Sequence, residues 1–501
     1  MKRILFLSLL ILISLVKISN ACTVLIAGKK TTVDGSIMFA KTEDDGLNFQ
    51  LDYLWKIPRK KFPAVSTKKL ISGLLIPEVS ETYAYTIDEC PQTHFSNMVI
   101  NEWGLAIGSN GCHSKENIED LKTNGDIVNG GIGFDLRFIL AERAKTAKEA
   151  VNIAIELLNK YGYNASGRNL NIVDQHEAWQ LQMVAGKRYV ARKVQDDEVV
   201  VIANTFSIRE VNMNDRENFI CSPDLIDYAT EKGWYDPDSG KEFDFALAYA
   251  PKSTHLSKSN VHRQWMMAHL INSDFDIDLD EAEAGMMPVS VKPKRKISVQ
   301  DLFKVFRSHY EGTRLNDGTH ELSPHYLPHT ICRYTTHRTT IVQQRSELPA
   351  EIGTLCWRSL GEPCNSIFVP WYLGAENIPA MYLPKQIGKR TIEPENFKEY
   401  HFGIPAWKIQ QIDLKDAARA FWLLGQLADV DYQKNNKLIK KKFRPIETKL
   451  LNEQKQLEQK ALTLYQQNKQ DAIKFLTEHT EKWAIKSYQD ARQMIEMIIN
   501  E

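Results

Sequence analysis

The stretch that ends at Ala21 constrains this chain most, because it decides which residue comes first in the working protein. Met1 is followed by Lys2 and Arg3, an apolar run over residues 4–16, and then Ser19-Asn20-Ala21. A cationic start, an apolar segment of roughly 7–15 residues and small residues at the −3 and −1 positions mark a removable export signal. Cleavage after Ala21 would make Cys22 the N-terminus, with a thiol and a free α-amine on one residue. The residues just beyond are β-rich runs at 23–27 and 36–40, joined through Asp34-Gly35, a hairpin-type turn pair. A fold that begins directly on a strand is therefore expected, and the strand would hold both groups of Cys22 at a fixed place on a sheet.

Two other readings of Cys22 stay open at this stage. A lipid-anchored protein also begins at a cysteine, although its cleavage site usually carries Leu or a similar apolar residue at −3, where this chain has Ser19. A buried thiol at the start of a strand is the third reading, since free cysteine packs as a small apolar residue. Loss of Lys2, Arg3 and Lys17 with the signal leaves 60 basic residues against 63 acidic ones. That balance argues against a nucleic-acid binder, which carries a basic surface. No later apolar run reaches the roughly 18–20 residues that cross a bilayer, so no membrane span is expected and the destination is the periplasm or the outside of the cell. Besides Cys22 there are six cysteines, Cys90, Cys112, Cys221, Cys332, Cys356 and Cys364. Export permits disulfides, but spacing does not choose among their pairings.

Patterning suggests a strand over 95–107 broken by a turn at Asn101-Glu102-Trp103-Gly104, and helices over 134–145 and 147–161, the second opened by a Thr146/Glu149 capping box. Strand-like runs follow at 170–173, 178–183 and 199–203, and helical patterns at 298–307 and 417–432. Ile446, Leu450, Leu457, Ala461 and Leu464 form an amphipathic stripe, and a second helix is expected over 470–499. The expected organisation is a signal at 1–21, a catalytic domain at 22–435 and a helical subdomain at 436–501. His325, His329, Cys332 and His337 have the residue types of a metal site, but their spacing matches no zinc pattern, and the threonines around them suggest a strand. No metal and no cofactor are expected.

A thiol and an α-amine on one residue can act as nucleophile and base. The amine, with an ordinary pKa of about 7.7–8.0, is partly neutral at pH 7 and can shuttle the thiol's proton. An acidic group should orient it, and amide donors should meet the oxyanion that forms on the attacked carbonyl.

Residues 22–30, then Asp34-Gly35-Ser36 and Ala40-Lys41-Thr42-Glu43-Asp44, resemble the start of peptidase family C69. Further matches are Asn101-Glu102-Trp103-Gly104-Leu105-Ala106-Ile107, the segment from Asp135-Leu136 to Ala147-Lys148-Glu149-Ala150, Glu177-Ala178-Trp179 and residues 366–372. These are dipeptidases of the N-terminal nucleophile (Ntn) hydrolase class, related to secernins and more distantly to penicillin V acylases and bile salt hydrolases. The resemblance implies an α+β fold, an αββα four-layer sandwich with a C-terminal helical extension. It implies Cys22 as nucleophile, Asp44 as the acid that holds the amine, Asn101 and Asn204 as oxyanion donors, and Arg263 as a more distant active-site arginine. The family usually has Arg-Asn-Glu-Asp where this chain has Lys41-Thr42-Glu43-Asp44. Lys41 joins the site set, keeping the positive charge but not the planar fork of arginine. The expected function is an exported cysteine-type hydrolase of short peptides, dipeptides first, with an N-acyl amide hydrolase and a lipid-anchored binding protein as alternatives. A short peptide is the expected partner, and self-association into a homo-oligomer is left open.

Overall fold

The computed structural model describes residues 22–44, 53–89, 96–319, 323–383 and 414–500. The export signal lies outside the described residues, as do Cys90, Phe95 and Glu501. Two antiparallel sheets dominate. The first runs in the spatial order Ser290–Val291, Val199–Ile202, Val24–Ala27, Ile37–Asp44, Thr336–Gln344, Thr354–Leu360 and Val369–Tyr372. The second runs Phe219–Cys221, Tyr189–Val194, Ala178–Met183, Arg168–Val173, Ala106–Gly111, Met98–Asn101, Tyr85–Glu89 and Tyr53–Ile57.

Side chains alternate across a strand, and the second sheet uses that alternation to face two cores. Met98 and Ile100 pack toward the first sheet, whereas Val99 between them packs with the helices Leu136–Arg143 and Ala147–Tyr161. On the far side of the first sheet lie the helices Lys258–Ile271, Val299–Phe306 and Ala417–Val430, with the long pair Tyr432–Gln467 and Lys469–Asn500. The layers therefore run helix, sheet, sheet, helix, the αββα sandwich that the family resemblance implies. Leu450, Ala461, Leu476 and Trp483 from the last two helices join the same core as the first sheet.

Local chemistry explains most element boundaries. Asp34-Gly35 turns the chain between the first two strands, with Gly35 at φ 74° and the Asp34 carboxylate accepting from Ser36 N and Oγ. Thr146 caps its helix through Glu149 N at 3.2 Å, while the Glu149 carboxylate reaches back to Lys145 N rather than to Thr146. The reciprocal box appears instead at Ser298/Asp301, ahead of Val299–Phe306. The stripe expected from Ile446 belongs to a helix that starts earlier, at Tyr432, and runs through Pro445. Among the described residues, Cys112, Cys221, Cys332, Cys356 and Cys364 are free thiols, and no helix is long and apolar enough to cross a membrane.

Candidate active site

Cys22 stands two residues ahead of the Val24–Ala27 strand and is 7% exposed. In the full chain its nitrogen is the amide that joins it to Ala21; with residues 1–21 cut away, the same atom would be the α-amine. That nitrogen donates to Asn204 Oδ1 at 2.7 Å. The Cys22 carbonyl accepts from Arg263 Nη1 at 2.6 Å and from Asn110 Nδ2 at 3.3 Å. Its Sγ lies 3.6 Å from Glu43 Oε1. Thr23 is tied on both sides of its own peptide, N to Thr42 Oγ1 at 3.0 Å and O to Thr42 N at 2.9 Å. Held at nitrogen, carbonyl and sulfur, the residue keeps thiol and amine in one geometry, which is what a two-group mechanism requires.

The neighbouring strand Ile37–Asp44 puts Lys41 and Glu43 on one face and Thr42 and Asp44 on the other. Lys41 Nζ and Glu43 Oε2 form an ion pair at 2.5 Å, both side chains buried. Burial works against both charges. For Lys41 the electrostatic pull of Cys22 and Glu43 outweighs it and raises the pKa above the usual lysine value. For Glu43 the opposing charges of Lys41 and Arg338 outweigh it and pull the carboxyl down to about 2. Asn97 Nδ2 completes the grip on Glu43 at 2.5 Å. The thiol thus faces a charged carboxylate neutralised by a lysine, a polar setting in a buried place.

On the opposite face, Asp44 accepts from Thr42 Oγ1 at 2.8 Å and from Thr336 Oγ1 at 2.6 Å. Burial raises its pKa, against the pull of Arg333. Asp44 reaches Cys22 through Thr42, the residue that fixes the Thr23 backbone, and its own oxygens rest on two hydroxyls. Arg263, fully buried, comes from the Lys258–Ile271 helix and bonds Cys22 O, Thr23 Oγ1, Asn204 Oδ1 and Asn260 Oδ1 at 2.6–3.1 Å. Burial and the nearby Arg333 lower its pKa to about 10, so it stays cationic at neutral pH. Asn204 follows the Val199–Ile202 strand, and its Oδ1 takes both Cys22 N and Arg263 Nη2. Two donors on the oxygen decide the amide's orientation. Nδ2 is left on the Gly111 side, 3.9 Å from where a Gly111 Cβ would stand.

The structure brings Cys22, Lys41, Asn204 and Arg263 together, with Asp44 one residue removed, but not Asn101. Asn101 Oδ1 accepts from Trp103 N and Leu105 N, and Nδ2 donates to the carbonyls of Ala141 and Ala144. All its hydrogen-bonding capacity closes the turn and docks a helix. From Leu105 to Asn110 the hairpin strand advances five residues, about 17 Å, so Asn101 sits at the far end from Cys22. The asparagine at the near end is Asn110, which spacing did not single out. Glu43, Asn97 and Asn260 were also missed. Glu43 was within reach of strand alternation, two residues from Lys41 on the same face.

A wall of this site comes from the second sheet. Arg168, opposite Gly111 in the register, lies under the Phe134 ring at 4.7 Å and bonds Tyr163 Oη at 3.2 Å. It makes no ion pair with a described carboxylate. A Cβ on Gly111 would stand 3.7 Å from Arg168 Nη1 and 3.9 Å from Asn204 Nδ2, so the two donors border one small space.

With this geometry in place, the comparison with known families is decisive: the model of peptidase family C69 matches residues 21–398. The chain belongs to that family. Among similar proteins, a probable dipeptidase B of Streptococcus pyogenes serotype M1 is 25% identical over 466 residues, covering 90% of this C69 chain and 85% of its own. A probable dipeptidase of Salmonella dublin is 26% identical over 391 residues, covering 75% and 86%. A solved structure of a mutant conjugated bile acid hydrolase from Clostridium perfringens aligns loosely, with a TM-score of 0.33 and 12% identity over 71% of this chain and 93% of that one.

Proposed function

We propose that this C69 peptidase is an exported cysteine-type N-terminal nucleophile hydrolase of short peptides, with dipeptides as its main substrates. The observation that carries the reading is the grip on Cys22: its nitrogen on Asn204, its carbonyl on Arg263, its sulfur beside Glu43. In the mature protein the thiol gives its proton to the α-amine and attacks the scissile carbonyl, forming a tetrahedral oxyanion. Asn204 Nδ2, turned outward by its two oxygen contacts, donates to that oxyanion. Collapse expels the amine product, protonated by the α-ammonium, and leaves a thioester on Cys22. Water, deprotonated by the α-amine, then hydrolyses the thioester and regenerates the thiol.

Three features support this version over its rivals. The family match begins at residue 21, at the doorstep of Cys22, and leaves the apolar leader outside. Cys22 is largely buried, with its sulfur 3.6 Å from the Glu43 carboxylate, a polar setting that disfavours a lipid anchor. Among the described residues, Arg168 Nη1 and Asn204 Nδ2 both lie within 4 Å of where a Gly111 Cβ would stand, and these polar neighbours suit a short peptide better than an apolar acyl chain. Arg168 offers a cation to the free carboxylate of a dipeptide. Arg168 Nη1 and Asn204 Nδ2 both approach the same point over Gly111, so a carboxylate held by Arg168 would belong to a substrate that is short beyond its scissile bond. The test is turnover of a dipeptide panel by Cys22→Ala and Cys22→Ser proteins. Loss of at least about 10³-fold is expected from both; undiminished turnover in the alanine variant would exclude the mechanism.

A further inference from the structure

Away from Cys22, four buried side chains converge from four separate segments. His309 follows the Val299–Phe306 helix, His325 sits in the short turn Pro324–Tyr326, Cys332 lies in the loop before the Thr336–Gln344 strand, and Cys364 occupies the turn Pro363–Asn365. All are at most 2% exposed, and one donor atom from each lies within 4.8 Å of all the others. His325 Nε2 is 3.0 Å from Cys364 Sγ and 3.5 Å from Cys332 Sγ. A tetrahedral zinc ion with Zn–S about 2.3 Å and Zn–N about 2.0–2.1 Å sets ligand-to-ligand edges of about 3.3–3.8 Å, so the cluster needs only small adjustments to close on one.

The surroundings of the two histidines point the same way. His309 Nδ1 is 2.9 Å from a Glu311 oxygen, and His325 Nδ1 is 2.7 Å from Asp429 and 3.3 Å from Glu362. A carboxylate on Nδ1 fixes the imidazole as the Nδ1–H tautomer and leaves Nε2 as a lone pair aimed at the cluster, the arrangement that backs metal-binding histidines. His309 Nε2 is buried without a hydrogen bond of ordinary geometry, and the His309 ring interacts with the Cys364 thiol, as two donors placed for one shared ion would. Two imidazoles and two thiolates around a divalent cation form a neutral unit, which suits so dry a place. The donor set is that of zinc, and four protein ligands leave no position for a reacting water, which marks a structural rather than a catalytic ion. A cavity of about 570 Å³ lined by His309, Cys364 and Tyr432 gives an entry path.

We propose that His309, His325, Cys332 and Cys364 hold a structural zinc ion. The site lies beyond the hydrolase reading and does not depend on it. Sequence spacing grouped His325 and Cys332 with His329 and His337, and so discouraged any metal. The structure keeps the first two and supplies the rest from remote segments, while His329 packs edge-on against the His262 ring. The ion would tie the loop ahead of the Thr336–Gln344 strand, whose Thr336 holds Asp44, to the turn at Cys364. The Tyr432–Gln467 helix grips that turn through Arg444 Nη2 on the Cys364 carbonyl at 2.6 Å.

The test is the metal content of the full-length protein, produced with zinc in the medium and purified without chelator, by plasma mass spectrometry. About one zinc per chain is expected, falling below a tenth in Cys364→Ser and His309→Ala and unchanged in His329→Ala. Protein refolded with cobalt should show the intense visible bands of a tetrahedral thiolate site. Wild-type protein with less than a tenth of an equivalent of zinc would overturn the proposal whether or not the variants fold. So would a Cys332–Cys364 disulfide in the peptide map of native protein.

Discussion

Asn204 illustrates how two hydrogen bonds can assign a third. With Cys22 N and Arg263 Nη2 both on its oxygen, its amide nitrogen is the group that the proposed mechanism assigns to the developing negative charge. Replacing it by alanine should lower kcat by about 10²–10³-fold, as loss of one oxyanion donor does, with a smaller change in KM. Asn101→Ala should behave in the opposite way: a lower melting temperature, from four lost bonds at a turn, and a near-native kcat in steady-state assays at permissive temperature. Arg168→Met should raise KM for free dipeptides by at least about tenfold and leave C-terminally amidated dipeptides nearly unaffected, because a charge-assisted pair with a carboxylate contributes roughly 1.5–3 kcal/mol; equal effects on both substrates would remove Arg168 from carboxylate binding. Much of this constellation was legible in the sequence, since Cys22, Lys41, Asn204 and Arg263 meet as a set. Asn101 and Asn110 lie on one hairpin, and only the direction of their side chains tells a turn-closing asparagine from one at the Cys22 carbonyl. That direction is set by tertiary packing, which motif spacing does not carry.

At the scale of elements, turn and cap chemistry made the sheet hairpins and short helices readable. The run at 178–183 coincides with the Ala178–Met183 strand, because period-two burial between two cores writes itself into the sequence. The long helices were less legible at their starts. Polar residues such as Asn435 and Asn436, which the sequence shows as breaks in the apolar stripe, are buried in the Tyr432–Gln467 helix, where their amides bond Leu427, Cys364 and Asn365. The last helix is a working part of the core: Leu476 is fully buried against the Val369–Tyr372 side of the first sheet. Leu476→Ala should cost about 2–5 kcal/mol in denaturant unfolding, and a loss under 0.5 kcal/mol would show that the helix pair folds apart from the sandwich.

Over the whole molecule, one architecture serves two ends. Two stacked sheets present Cys22 at the start of a central strand, and the outer helices lock that sheet from behind. Glu447, buried on the Tyr432–Gln467 helix, pairs with Arg307 and accepts from Phe368 N at 2.8 Å; Glu458 pairs with Arg345 at 2.6 Å and accepts from Tyr372 Oη. These buried carboxylates fasten the Tyr432–Gln467 helix to residues at the ends of the Thr336–Gln344 and Val369–Tyr372 strands of the first sheet. The layered fold was implied by the family resemblance, whereas the convergence of four remote ligands could not be read, because residues far apart in the chain meet only in the folded state. The central claim is that catalysis needs Cys22 as an unblocked first residue. N-terminal sequencing of the purified, dipeptide-cleaving protein tests it most directly. Cysteine in the first cycle, at full molar yield, is the expected result; an active enzyme that is blocked, or that retains any residue ahead of Cys22, would contradict the account.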